Sequence, residues 1–150
     1  MQPRCIWSNK KSARLKEVKV LATNRWATST REETCYVLPE YEAALRAYTA
    51  DAVRHGKTLM ILIGMSVVLI LLATALGVFG VLSDWSTLLV VAGSMVLMGG
   101  ALIRFPFPTP ETIRMLGVHK SIRFARLAGW LTVGVGLLLP LLVALDSASS

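Results

Sequence analysis

At 150 residues the chain has room for one small domain, yet 54% of it is hydrophobic and only 17% charged, against about 25% charged in ordinary soluble domains. So much apolar content excludes disorder, and so little charge argues against a soluble enzyme with a mixed surface. The formal net charge of +7, from 16 Lys and Arg against 9 Asp and Glu, must therefore be segregated from the apolar residues along the chain.

Residues 1–57 form a basic N-terminal region that holds eleven of the Lys and Arg residues. No apolar run precedes Thr58, so no signal peptide is expected; residues 1–31, basic and Ser/Thr-bearing with Glu17 as their one acid, resemble an organellar transit peptide in composition alone. Leu15–Ala22 and Thr34–Leu38 carry enough Val, Tyr and Leu to pair as a short β-hairpin, although neither alternates cleanly. Residues 39–55 read as an amphipathic helix. Pro39 suits the first helical position, Glu40 and Glu42 the first turn, and Gly56 the end. Tyr41, Leu45, Tyr48 and Ala52 make one apolar stripe, and Glu42 and Arg46 an i,i+4 pair. This helix is expected to lie on a membrane surface or a partner and to turn at Gly56.

Three runs without an ionisable side chain follow: 58–82, 86–103 and 127–145. A bilayer core about 30 Å thick needs roughly 20 helical residues, and buried strands are far shorter than these runs. Three transmembrane helices are predicted, making an all-α membrane protein. The turn 83–85 joins the first two, with Asp84 as a helix cap and Trp85 at headgroup level. The loop 104–126 holds the other five bases: Arg104, Arg114, Lys120, Arg123 and Arg126. In it, Pro106, Pro108 and Pro110 favour an extended path, a short helix starts at Thr109-Pro110-Glu111, and Gly117 stops it. Its bases interleave with apolar residues such as Phe107, and Trp130 lies just inside the third run, as expected at the interface of an anionic leaflet. The turn 83–85 and the tail 146–150 have no base. The positive-inside rule then places the N-terminus and the 104–126 loop in the cytoplasm and the tail outside, as in a bacterial inner membrane.

Chemistry is sparse. No run contains Asp, Glu, Lys, Arg or His, the residues of ion paths and proton relays, and none offers an imidazole to a buried haem or chlorophyll. No cofactor is therefore expected through the chain's own side chains, only lipids or pigments bound peripherally. Cys5, Cys35, His55 and His119 amount to four possible zinc ligands, but their spacing is not diagnostic and free thiols are expected. No nucleophile motif or phosphate loop occurs, so no enzyme is expected. The diffuse basic charge, offset by six acids in residues 1–57, is a poor nucleic-acid signal.

Small residues line the runs instead. Ala73, Gly77 and Gly80 mark the first, Ala92, Gly93, Gly99 and Gly100 the second, and Gly129 and Gly136 the third, where Gly136 leaves space for Pro140. The second run carries two adjacent rows, 92/99 and 93/100, which points to a second contact face. The expected function is a non-catalytic accessory subunit that packs against other membrane subunits and binds anionic lipid. By analogy its complex would be an energy-transducing one, photosynthetic or respiratory. The rivals are a homo-oligomeric channel lined by Thr74, Ser94 and Thr132 and a stand-alone protein that binds anionic lipid.

Overall fold

The computed structural model describes residues 4–23 and 29–149. They form two antiparallel strands, β1 (Lys16–Thr23) and β2 (Thr30–Val37), then helices α1 (Glu42–Val78), α2 (Asp84–Arg104), α3 (Pro110–Leu116) and α4 (Val118–Ser149). Three of these helices, α1, α2 and α4, are long and apolar enough to cross a membrane. The chain divides into two compact units. The first comprises Met1–Met60 and Phe105–Ala125, the second Ile61–Arg104 and Arg126–Ser150.

In the first unit the hairpin pairs Val18 with Cys35 and Val20 with Glu33. Strand β2 begins four residues before the predicted start, because Thr30-Arg31-Glu32-Glu33 is polar on both faces and carries no pattern. One face is nonetheless buried: Val18, Val20, Cys35 and Val37 point into a core that Leu45 of α1 and Val118 of α4 complete. The outward Leu21 and Tyr36 explain why the sequence alternates poorly. Lys16 Nζ lies 2.8 Å from Glu42 Oε2, and Arg46 lies 3.0 Å from Oε1, so one carboxylate joins β1 to α1.

The stripe of Tyr41, Leu45, Tyr48 and Ala52 is therefore not left for a membrane surface or partner: the chain's own hairpin and N-terminal turn cover much of it. Fully burying Leu45 contributes about 1.5–3 kcal/mol. Nor does α1 turn at Gly56. It runs unbroken to Val78, because an interior glycine costs only about 1 kcal/mol relative to alanine and no proline follows to remove a hydrogen bond.

Residues 4–11 hold the unit's other end. The Ile6 amide donates to the Tyr36 carbonyl at 2.9 Å, while the carbonyls of Ile6 and Trp7 accept the Val118 and His119 amides at 3.0 and 3.2 Å. Those two bonds satisfy amides that the first turn of α4 leaves without helical partners. Asn9, at φ 57°, reaches the Met115 carbonyl with its amide at 2.8 Å. Gly117 separates α3 from α4 at φ 79°, and a Cβ there would stand 2.9 Å from the Trp7 carbonyl oxygen.

In the second unit α1 ends at Val78, short of the predicted Leu82. Gly80, expected to pack against another helix, instead takes φ 72° with open space around it and donates to the Gly77 carbonyl at 2.9 Å, a left-handed helix end. The start of α2 is capped by Ser83, not by Asp84. The Ser83 hydroxyl accepts the Ser86 amide at 3.2 Å, and Asp84 is already the first helical residue. At the far end, α4 continues through the predicted 146–150 tail as far as Ser149. Helices α2 and α4 meet at their glycines. A Cβ on Gly99 would lie 2.6 Å from the Gly129 carbonyl oxygen, and one on Gly136 would lie 2.9 Å from the Ala92 carbonyl oxygen.

Gly99→Val should lower the stability of the purified chain by about 1–3 kcal/mol, whereas Gly93→Ala should leave it unchanged or slightly raised, as read by thermal unfolding in detergent. Gly117→Ala should destabilise by about 1–3 kcal/mol through its positive φ and its approach to Trp7, with unfolding followed by tryptophan fluorescence.

Candidate functional site

The residues singled out from sequence fall into distinct settings. Ala73 and Ala92 are buried, Gly99 and Gly129 face each other, Gly136 meets α2, and Gly77 packs against the Thr87 side chain. Gly93 and Gly100 are different: both are exposed, with nothing within 4 Å of the position a Cβ would take. The rows one residue apart on α2 thus have separate fates, 92/99 against α4 and 93/100 open. Gly64 and Gly134 are open as well, but each stands alone, whereas Gly93 and Gly100 lie two turns apart on one face.

Arg104 closes α2, and on α4 the exposed Lys120, Arg123 and Arg126 recur every three residues beside exposed Phe124, Leu127 and Trp130. Trp85 is exposed in the first turn of α2. Phe107, expected only at the interface, has a further role inside the first unit. Its ring stands 6.0 Å from Tyr48 and 6.4 Å from Phe105; Tyr48 meets Trp7 edge-on at 6.4 Å, and Trp7 stacks on Tyr41 at 6.3 Å. His55 completes the series by stacking on Phe105 at 5.3 Å while its Nδ1 lies 2.8 Å from Asp51. These six rings join the N-terminal turn, α1 and the proline segment. The aromatic series was not read from sequence, because its members are separated by up to a hundred positions.

Between the hairpin, α1 and the 105–118 segment lies a cavity of about 470 Å³. Its floor is apolar, built on Val20, Leu45, Leu59 and Val118, and Tyr48 and Phe107 form a wall. Charged residues stand at its rim: Arg31 and Glu33, which pair with each other, and Glu111 and Arg114 of α3.

Cys5 and Cys35 are free, buried thiols of the hairpin core. Burial pushes the Cys35 thiol above its ordinary 9.0, and the charge of Glu33 adds to the effect. Burial acts the same way on Cys5, but the Ser8 hydroxyl and the backbone amides of Ser8, Leu38 and Trp7 together outweigh it and hold that thiol below the ordinary value. His55 is committed to Phe105 and Asp51, and His119 is exposed at the start of α4. Among the described residues no three His, Cys, Asp or Glu side chains converge on a metal position.

No protein family, curated protein or solved structure matches the chain.

Above pH 9.0 the unfolded chain ionises Cys35 while the folded chain retains the proton, so the stability this thiol contributes at neutral pH should decline as pH rises through that value. Thermal melts across that interval should show a smaller alkaline loss for Cys35→Ala than for the parent chain.

Proposed function

We propose that this protein is a non-catalytic accessory subunit of a larger membrane assembly. In this reading it docks on neighbouring subunits through the open glycine row of α2. The observation that carries the reading is the contrast within that helix. Gly99 uses its missing side chain to reach α4, while Gly93 and Gly100 offer the same close approach to none of the described residues. Lipid gives apolar helices no hydrophobic drive to associate, so a flat glycine row is a place where van der Waals contact with another helix can form. The three uncharged runs supply no group that would move ions, protons or electrons.

The placement of charge supports an N-in, C-out orientation in a bacterial inner membrane, with anionic headgroups near Lys120, Arg123 and Arg126. By analogy the parent assembly is energy-transducing, photosynthetic or respiratory, with lipids or pigments held only at the periphery of this chain. The rival channel lined by Thr74, Ser94 and Thr132 draws less support. Each of those hydroxyls donates to the carbonyl four residues earlier in its own helix, at 2.8–2.9 Å, and so is already committed.

The test is extraction of the source membrane in mild detergent, followed by cross-linking and sizing. The native chain should migrate with other subunits. A Gly93→Leu/Gly100→Leu double variant should lose at least tenfold of that co-migration while melting like the parent. Recovery of the native chain alone, together with ion flux from the purified chain in liposomes, would favour the channel.

A further inference from the structure

We infer that the 470 Å³ cavity of the first unit binds a single acyl chain that ends in an anionic head, with Arg114 holding the head. The inference stands independently of the accessory-subunit reading. At about 30 Å³ per water-sized group, the space holds roughly sixteen such groups, enough for one medium-length chain with its head and too little for a two-chain phospholipid. It also falls within the range of about 300–1,000 Å³ of ordinary small-molecule sites.

The lining is divided as such a molecule requires. Leu45, Leu59 and Val118 stand behind an apolar floor to which Val20, Met60 and Ala52 also contribute, with no charge to meet. The rim carries the charges. Arg31 is held by Glu33, whereas Arg114 is exposed and has no ion-pair partner among the described residues. A guanidinium at the mouth of an apolar cavity recognises a carboxylate or a phosphate through paired N–H donors. Glu111, one turn before Arg114 on α3, stands on the same rim and opposes an anion, so it sets the affinity against which Arg114 works. A supply of such chains is close at hand along α1, because Leu59 and Met60 of the cavity wall are among the first residues of the uncharged 58–82 run.

The experiment is native mass spectrometry of the full chain in a non-ionic detergent, titrated with tetradecanoate, with tetradecanol, and with a lysophosphatidylglycerol of the same chain length. One saturable equivalent of an anionic ligand is expected. Tighter binding of tetradecanoate assigns the head to a free fatty acid, and tighter binding of the lysolipid assigns it to a lipid phosphate. Arg114→Gln should weaken the anionic ligands by on the order of tenfold and leave tetradecanol unchanged. Glu111→Gln should tighten the anionic ligands. Ala52→Trp, which places an indole in the cavity, should abolish binding of all three. Because Arg114 is exposed, its variant tests the inference even if Ala52→Trp fails to fold. Adducts that grow without saturating, or an Arg114→Gln chain that binds tetradecanoate as the parent does, would overturn it.

Discussion

Helix ends impose the constraint on which the structure depends. A helix satisfies its own backbone groups everywhere except in its first and last turns, and those turns need a donor or acceptor from elsewhere. This chain answers the need in a different way at each end. Gly80 closes α1 with a left-handed turn, the Ser83 hydroxyl opens α2, Pro110 starts α3 with a residue that has no amide hydrogen to satisfy, and Ile6 and Trp7 lend carbonyls to α4. The hydroxyls inside the apolar helices follow the same logic, with Ser66, Thr74, Ser94 and Thr132 each bonded to a carbonyl one turn back. Thr87 is the exception, its hydroxyl oxygen buried beside Gly77 with no hydrogen-bond partner among the described residues; over the rest of the helix faces packing decides.

On those faces the deciding quantity is distance. No ion pair can hold one uncharged run to another, so close approach does, and it requires positions without a Cβ. Gly99 and Gly129 provide it reciprocally, each placing its carbonyl where the other's side chain would be. The same argument gives the open glycines their interest. Gly93 and Gly100 have the geometry of the packed row and none of its contacts, and the large side chains nearby, such as Leu89, Val90 and Leu97, are exposed as well.

Much of this was legible in the residues, and what was not had physical causes. The absence of charge over 58–82, 86–103 and 127–145 marks three long helices, since no other element keeps so many apolar residues in succession. Thr109-Pro110 and Gly117 bracket α3 because proline fits only a first turn and glycine readily takes a positive φ. The errors lie where one residue type has two uses. Gly56 reads as a helix end and is an interior residue, Gly80 reads as a packing residue and is a helix end, and Asp84 yields its capping role to Ser83, one position earlier. The candidate cavity was invisible because it is made by contact between distant segments: residues near 20, 45 and 110 carry no joint pattern along the chain.

The attachment of residues 4–11 to the junction of α3 and α4 has a consequence for how the molecule is made. Asn9 and Met115, joined by one hydrogen bond, are 106 positions apart, and Ile6 meets Val118 across a similar interval. A ribosome releases the N-terminal turn long before it releases its partners, and two apolar runs emerge in between. The hairpin and α1 can form early from neighbouring segments, but the clasp at Gly117 closes only after both apolar runs have been synthesised. The first residues to appear are thus among the last to find their places, because their hydrogen-bond partners lie beyond two long apolar helices in the sequence.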